Sequence, residues 1–509
     1  MLREQLLRLG KQSTVYGLSS VLGASATLIL VPLLTRQLST AQYGMLEVLT
    51  VFAIQLGIIV QLGLGAALFR FVLSSDQDVE HSRAVVSTAY WIIAAVSMAA
   101  VAAMLPFAPR LAHLLLGQSN LGSLVTWILA KVFFEAVGVV PMARLRLRQA
   151  AVVYGALSAS RLFVTLGFVV VALSLVNDPL RAVVIAMTAE ACTFAIAATA
   201  TAARDLVPRI SVPALQGMLK FGLPLIPYAF ALTILAMGDR YFLRTFHGLA
   251  DVGAYAVGYK LAAVLAIPVR AFQVAWPTFL FSLASAPSGR TFYAKVLIYL
   301  LLLLGFCGVA VGVFAREVVD VAAGEAFARA HVVVPILVFA QISLGAFYAT
   351  AVGTNLSGKT HLVTASAGIA LLVFGGAALL LVRPFGIVGA AYATALGYLT
   401  LAVADCAFSL RLHPVPYEWG RIAGLAGLIL GLIVVGVNID TGFRVVDVAL
   451  KFTVVAAYPA LVLSFGFLSR SERAAMRGLL ARTASYPGVA DPEVPGVAVP
   501  QPDPSALRQ

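Results

Sequence analysis

Apolar runs of 18 or more residues recur almost from end to end of this chain, parted by short stretches that hold most of its Arg and Lys. Each run is long enough to cross a hydrocarbon core of roughly 30 Å as a helix. Only helices and closed barrels satisfy their backbone in lipid, and the runs lack the alternation of a barrel strand. The pattern predicts an all-α polytopic membrane protein of about fourteen helices, at 13–35, 44–69, 84–106, 122–143, 150–175, 181–203, 221–246, 253–283, 293–315, 331–354, 362–382, 386–410, 420–437 and 446–468. Arg3, Arg8 and Lys11 precede the first run, but that run is too long for a signal peptide and ends in no small-x-small site, so it reads as a membrane helix.

Composition agrees: of 509 residues 61% are hydrophobic and 11% charged, with a mean hydropathy of +0.97. A soluble domain carries about 25% charged residues. The net charge of +13 would raise the question of nucleic acid in a soluble chain, but the Lys and Arg flank the apolar runs as membrane anchors, and no nucleic-acid partner is expected. With the N-terminus inside, the inner loops and ends hold about 19 basic residues and the outer loops about eight. That bias predicts a multi-pass protein of the bacterial cytoplasmic (inner) membrane with both termini cytoplasmic. Cys192, Cys307 and Cys406 lie inside apolar runs, against a disulfide framework, and the six His show no metal-ligand spacing. No Gly-rich phosphate loop or Ser, His and Asp set stands out, and the outer loops are short, so no enzyme, catalytic residue or metal is expected.

The chain also echoes itself. TRQLSTAQYG (Thr35 to Gly44) follows the first run and LRTFHGLADVG (Leu243 to Gly253) follows the seventh, 209 residues on from Gly44 to Gly253. The basic linker Arg144 to Arg148 pairs similarly with Gly358 to His361. Two pseudo-symmetric six-helix lobes are expected, residues 1–210 and 211–412, around a central cavity, with two further helices in 413–470. Residues 471–509 turn polar and Pro-rich and are expected to form a disordered cytoplasmic tail.

Ionisable groups at membrane depth are costly, so each is a functional candidate whose partner must be named. Tyr154, Ser158, Arg161 and Thr165 follow one another at spacings of 4, 3 and 4, on one helical face with Arg161 near the helix midpoint. Such a stripe faces either a hydrated cavity or a carboxylate that straps two helices. Glu190 lies near the centre of the sixth helix. Lys131 and Glu135 are one turn apart in the fourth, where mutual neutralisation is the plain reading. Asp239 and Arg240 lie toward the outer end of the seventh helix, and Lys260 and Arg270 in the eighth, which Pro268 and Pro277 are expected to bend. Glu47, Asp405 and Lys451 sit near enough to helix ends to snorkel and read as structural. The basic excess toward the expected cavity points to an anionic cargo; the Arg fork suits phosphate because it binds two oxygens at once and keeps its charge when partly desolvated.

The stretches LVPLLTRQLSTAQYGMLEVLTVF (Leu30 to Phe52), QLGLGAALFRF (Gln61 to Phe71), GDRYFLRTFHGLADVGAYAVGYKLA (Gly238 to Ala262) and RPFGIVGAAYATALGY (Arg383 to Tyr398) span both lobes. In order and spacing the chain resembles the polysaccharide-export and oligosaccharide-lipid flippases of the multidrug/oligosaccharidyl-lipid/polysaccharide exporter superfamily. The resemblance implies a two-lobe bundle whose V-shaped cavity opens alternately inward and outward, moving polyprenyl-pyrophosphate-linked sugar units to the outer leaflet. It makes Arg161, Arg270, Lys260 and Arg240 candidates for pyrophosphate or acidic sugars, although of these only Arg240, beside Asp239, and Lys260 fall within a matching stretch. Lys131, Tyr154 and Ser158 join them as candidate substrate contacts, and Glu190, Glu135 and Asp239 are the candidate ion-coupling groups. No cofactor beyond a coupling cation, H+ or Na+, is expected. Expected partners are the lipid-linked oligosaccharide, membrane lipids, and a polysaccharide polymerase with glycosyltransferases. The rival readings are a drug/cation antiporter of the same superfamily, which would want an acidic or aromatic cavity, and a non-transporting membrane subunit of a polysaccharide assembly complex.

Overall fold

The computed structural model describes residues 29–73, 79–284, 286 and 289–467, and among them it contains helices and no strands. A helical stretch over residues 29–37 (α1) leads into α2 (Thr40–Val60), α3 (Leu64–Leu73), α4 (Val79–Met104), α5 (Ala108–Leu116), α6 (Gly122–Leu147), α7 (Ala151–Leu175) and α8 (Pro179–Ala202). There follow α9 (Val212–Gly222), α10 (Leu225–Met237), α11 (Asp239–Phe246), α12 (Leu249–Ala262), α13 (Ala266–Ser282), α14 (Gly289–Val313), α15 (Ala315–Ala323), α16 (Val334–Thr350), α17 (Val352–Leu356), α18 (Thr360–Leu412), α19 (Trp419–Val437) and α20 (Arg444–Ser464). Among the described residues eleven helices are long and apolar enough to cross a membrane, or twelve if α9 and α10, bent by 43°, form one span. The first predicted helix falls largely outside the described residues, so the count of fourteen is not established by them. By its contacts the chain divides into Met1–Tyr458 and Pro459–Gln509; the predicted tail lies outside the described residues.

Helix starts follow ordinary capping chemistry. Ser39 and Gln42 form a capping box on α2, and Asp178 with Pro179 and Ser211 with Pro213 open α8 and α9. Several predicted helices are interrupted. The predicted 44–69 helix breaks at Leu62 and Gly63, both at positive φ, where Gly63 lies against the backbone of Gly222. The predicted 253–283 helix breaks in a 3-10 turn at Ala263–Leu265 rather than at Pro268, because proline disrupts the turn before it and is tolerated in a first helical turn. α18, at 53 residues, would extend roughly 80 Å if straight. It reverses at Gly386 (φ 55°, ψ −127°), between the predicted eleventh and twelfth helices.

The internal echo has a structural counterpart. α12 starts 209 residues after α2, and the short helix α15 starts 207 after α5. The echoed glycines face one another: a Cβ on Gly44 would strike the carbonyl of Leu249, and one on Gly253 the carbonyl of Thr40, two residues themselves 209 apart. Only glycine permits this reciprocal backbone approach. Gly44→Ala is expected to prise α2 from α12 and cost about 1–3 kcal/mol, the range for overpacking a filled contact. An unchanged thermal transition in detergent would show that the helices part without penalty.

Candidate functional site

A cavity of about 550 Å³ is walled by helices from both halves of the chain, from α1 to α18. Its charged lining is Glu47 from α2, Arg240 from α11, Lys260 from α12 and Arg270 from α13, three cations against one carboxylate. Tyr259, Gln273, Gln341, Tyr348, Tyr398, Thr50 and Thr165 add polar groups to a wall that is otherwise apolar.

The cations are held differently. Lys260 Nζ donates to Tyr43 Oη at 2.8 Å and to Glu47 Oε1. Arg240 is fully buried; its Nη1 donates to Asp239 Oδ1 at 2.8 Å, its Nε lies 3.7 Å from Glu47 Oε2, and its guanidinium stacks 4.5 Å from the Tyr259 ring centre. Asp239 in turn accepts from Tyr255 Oη and, at 2.9 Å, from Thr394 Oγ1. Two cations and two carboxylates thus cross-link α2, α11 and α12. Arg270 is different: it is exposed, and among the described residues no carboxylate lies within ion-pair distance of it. Arg240 Nε and Gln341 Oε1 are buried on this wall without a hydrogen-bond partner among the described residues.

Arg161 belongs to another cluster, and here the expectation of cavity lining is corrected. It donates to both oxygens of Glu190, at 2.6 and 3.1 Å, lies 3.5 Å from Glu135, and stacks 4.2 Å over Phe194. Lys131 binds Glu135 at 2.7 Å. This quartet straps α6, α7 and α8 and is neutral overall. A buried cation recruits the nearest carboxylate because an isolated charge at membrane depth is too costly. Of the predicted stripe only Thr165 reaches the cavity; Tyr154 and Ser158 are half-buried, Tyr154 facing Arg146 at 5.9 Å. The three predicted coupling acids each have a cation: Arg161 for Glu190, Lys131 for Glu135 and Arg240 for Asp239.

Glu47, Asp405 and Lys451 do not snorkel: all three are buried in protein. Distance from a helix end misleads here because neighbouring helices cover those ends. Asp205, not singled out from sequence, is fully buried with three arginines, Arg148 at 2.6, Arg144 at 3.1 and Arg83 at 3.8 Å. Its one sequence signal is that it follows Arg204 at the end of a predicted helix, within reach of the basic linker.

The fold and the cavity define a polytopic helical membrane protein with a charged interior chamber. The profile of the polysaccharide biosynthesis protein family matches residues 33–332, and the chain belongs to that family. Comparison with curated protein sequences finds no match. Among solved structures, the lipid II flippase MurJ in an inward closed conformation superposes with a TM-score of 0.69 at 12% identity, covering 88% of this chain and 98% of that one. A point mutant of the MATE transporter VcmN of Vibrio cholerae gives 0.57 at 16% identity over 79% and 97%. A MOP-superfamily transporter from Pyrococcus furiosus, described as having a binding pocket of reverse polarity, gives 0.57 at 13% over 82% and 96%. The fold is therefore that shared by MurJ and the MATE transporters.

Proposed function

We propose that the chain flips polyprenyl-pyrophosphate-linked oligosaccharide units across the bacterial cytoplasmic membrane by alternating access, for polysaccharide export. The observation that carries this is Arg270, a guanidinium with no carboxylate partner among the described residues, on the wall of a chamber whose lining holds three cations and one carboxylate. Family membership and the MurJ-like fold support the same reading. Head-group phosphates would meet Arg270 first, because its donors are not already committed to an acid, while the lipid tail stays in the bilayer. Lys260 and Arg240, pinned by Glu47 and Asp239, would set the positive field. Gln341 Oε1 would be an acceptor for a sugar hydroxyl. Two six-helix lobes, 1–210 and 211–412, rocking about the cavity would expose the head group outside, with both termini cytoplasmic and polymerase and glycosyltransferases acting on either side of the step. The basic excess disfavours an organic-cation cargo.

The test is Arg270→Glu beside Arg270→Lys in cells that depend on the protein for polymer export, reading the periplasm-exposed fraction of lipid-linked oligosaccharide. Arg270→Glu is expected to lower export about tenfold or more, as loss of a charge-assisted hydrogen bond worth ~1.5–3 kcal/mol requires. Arg270→Lys should retain part of it. Normal export by Arg270→Glu at wild-type abundance would refute the reading.

A further inference from the structure

Among the described residues one buried carboxylate has no cation beside it. Asp405, in the second arm of α18, is fully buried, and among the described residues no Lys, Arg or His lies within ion-pair distance of it. Its oxygens face two hydroxyls, Thr354 Oγ1 of α17 at 3.3 Å and Ser366 Oγ of the first arm of α18 at 3.5 Å. Each hydroxyl has one proton: Ser366 donates it to Leu362 O at 3.0 Å, closer than Asp405, whereas Thr354 lies 3.3 Å from both Ala351 O and Asp405 Oδ2 and can give its proton to either. The Ser366 oxygen is then better placed to accept from Asp405 than to donate to it. An ionised Asp405 would be a buried anion with no cation among the described residues and at most long hydroxyl hydrogen bonds to hold it, a state proteins avoid by neutralising the group. A protonated Asp405 instead completes the set, donating its own O–H to one of the two hydroxyl oxygens.

The other groups that face Asp405 bring no positive charge: Tyr228 from α10, Tyr417 from the segment after α18, and the adjacent Cys406. Tyr417 Oη is itself buried without a hydrogen-bond partner among the described residues. The position is also mechanically placed. One turn on, Ser409 Oγ donates to Thr350 O at 2.7 Å and accepts from Gly353 N at 2.7 Å, clamping the junction of α16 and α17 onto α18. A change of charge at Asp405 is therefore felt where three helix ends meet, and Tyr348, two residues before Thr350, lies on the cavity wall.

We propose that Asp405 is a proton-binding site, its carboxyl held neutral between Thr354 and Ser366 and losing its proton when the ends of α16, α17 and α18 part. The proton bound and released there would be the coupling ion of the transport cycle, a role that rests on the flippase reading; proton binding itself does not.

The experiment uses the full chain in liposomes without cargo. Infrared difference spectra between neutral and alkaline pH should show a protonated carboxylic C=O band that disappears on the alkaline side. Asp405→Asn should lose that band, Asp405→Glu should keep it at a shifted frequency, and Thr354→Val should shift it by removing a hydrogen-bond partner. If Asp405→Asn does not fold, the Thr354→Val shift still assigns the band. A band unchanged in Asp405→Asn, or one removed by adding Na+ at constant pH, would overturn the proposal, the second outcome making the site one for sodium. In a separate arm with lipid-linked oligosaccharide, Asp405→Asn should lose the response of flipping to a pH gradient. Failure of wild-type flipping in that arm, with the band intact, would sink the cargo assignment and leave the proton site standing.

Discussion

Glu47→Ala is expected to destabilise the protein by about 3–5 kcal/mol, the range for removing one partner of a buried ion pair. Among the described residues Glu47 is the only carboxylate at Lys260 and a second one at Arg240; at the meeting of α2, α11 and α12 Glu47 and Arg240 are buried and Lys260 is largely so, its tip at the cavity. Its loss strands the Lys260 ammonium with only the Tyr43 hydroxyl as acceptor. Arg240 keeps Asp239 at 2.8 Å, so the penalty falls mainly on Lys260. That partition is itself testable. A Glu47→Leu, Lys260→Met double variant removes both members of the pair and should recover most of the lost stability, since a well-packed apolar replacement of an ion pair is often neutral. Thermal unfolding in detergent, followed by the monodisperse fraction after heating, reads both effects. A loss below ~1 kcal/mol in Glu47→Ala would mean that the cluster is wet and its charges solvated.

Asp205→Ala should cost about 3 kcal/mol, and unlike the first effect this one should shrink in high salt. Asp205 receives Arg148, Arg144 and Arg83, and its backbone carbonyl accepts from Ser87, so the ends of α4, α6 and α8 converge on one residue. Arg144 is largely enclosed, whereas Arg83 and Arg148 are each nearly half exposed and can regain water when the acid is lost. Rehydration limits the loss, and screening weakens the exposed pairs in the parent protein. The gap between parent and variant should therefore narrow from low to high ionic strength. A gap that does not respond to salt would place the whole contribution in Arg144. Asp205→Asn keeps one acceptor and should fall between the two.

These clusters also show how far the chain can be read in advance. Arg144, Arg146 and Arg148 are legible as a basic linker, and the positive-inside pattern they join is a matter of counting. That a single acid 57 residues beyond Arg148 gathers two of them is not, because it depends on how α6 and α8 are rotated toward each other. The same holds for Arg161. Its depth and its polar stripe follow from helical periodicity, but its partner Glu190 lies 29 residues away on another helix. Periodicity gives the face of a helix and leaves open which neighbour that face meets. Asp405 escapes the sequence reading for a related reason: distance from a helix end measures reach to water only when no other element covers the end, and α17 covers this one.

By itself the sequence determined the solvent, the helical class, most helix positions and the echo of Gly44 in Gly253, because these depend on local hydrophobicity and on spacing along the chain. Tertiary structure decided that the two echoed glycines touch, that Arg161 is neutralised, and that among the described residues Arg270 has no carboxylate and Asp405 no cation within ion-pair distance. Burial of apolar area is nearly additive along a chain, whereas the fate of a buried charge is a pairwise matter, settled by whichever helix presents an opposite charge within a few ångströms.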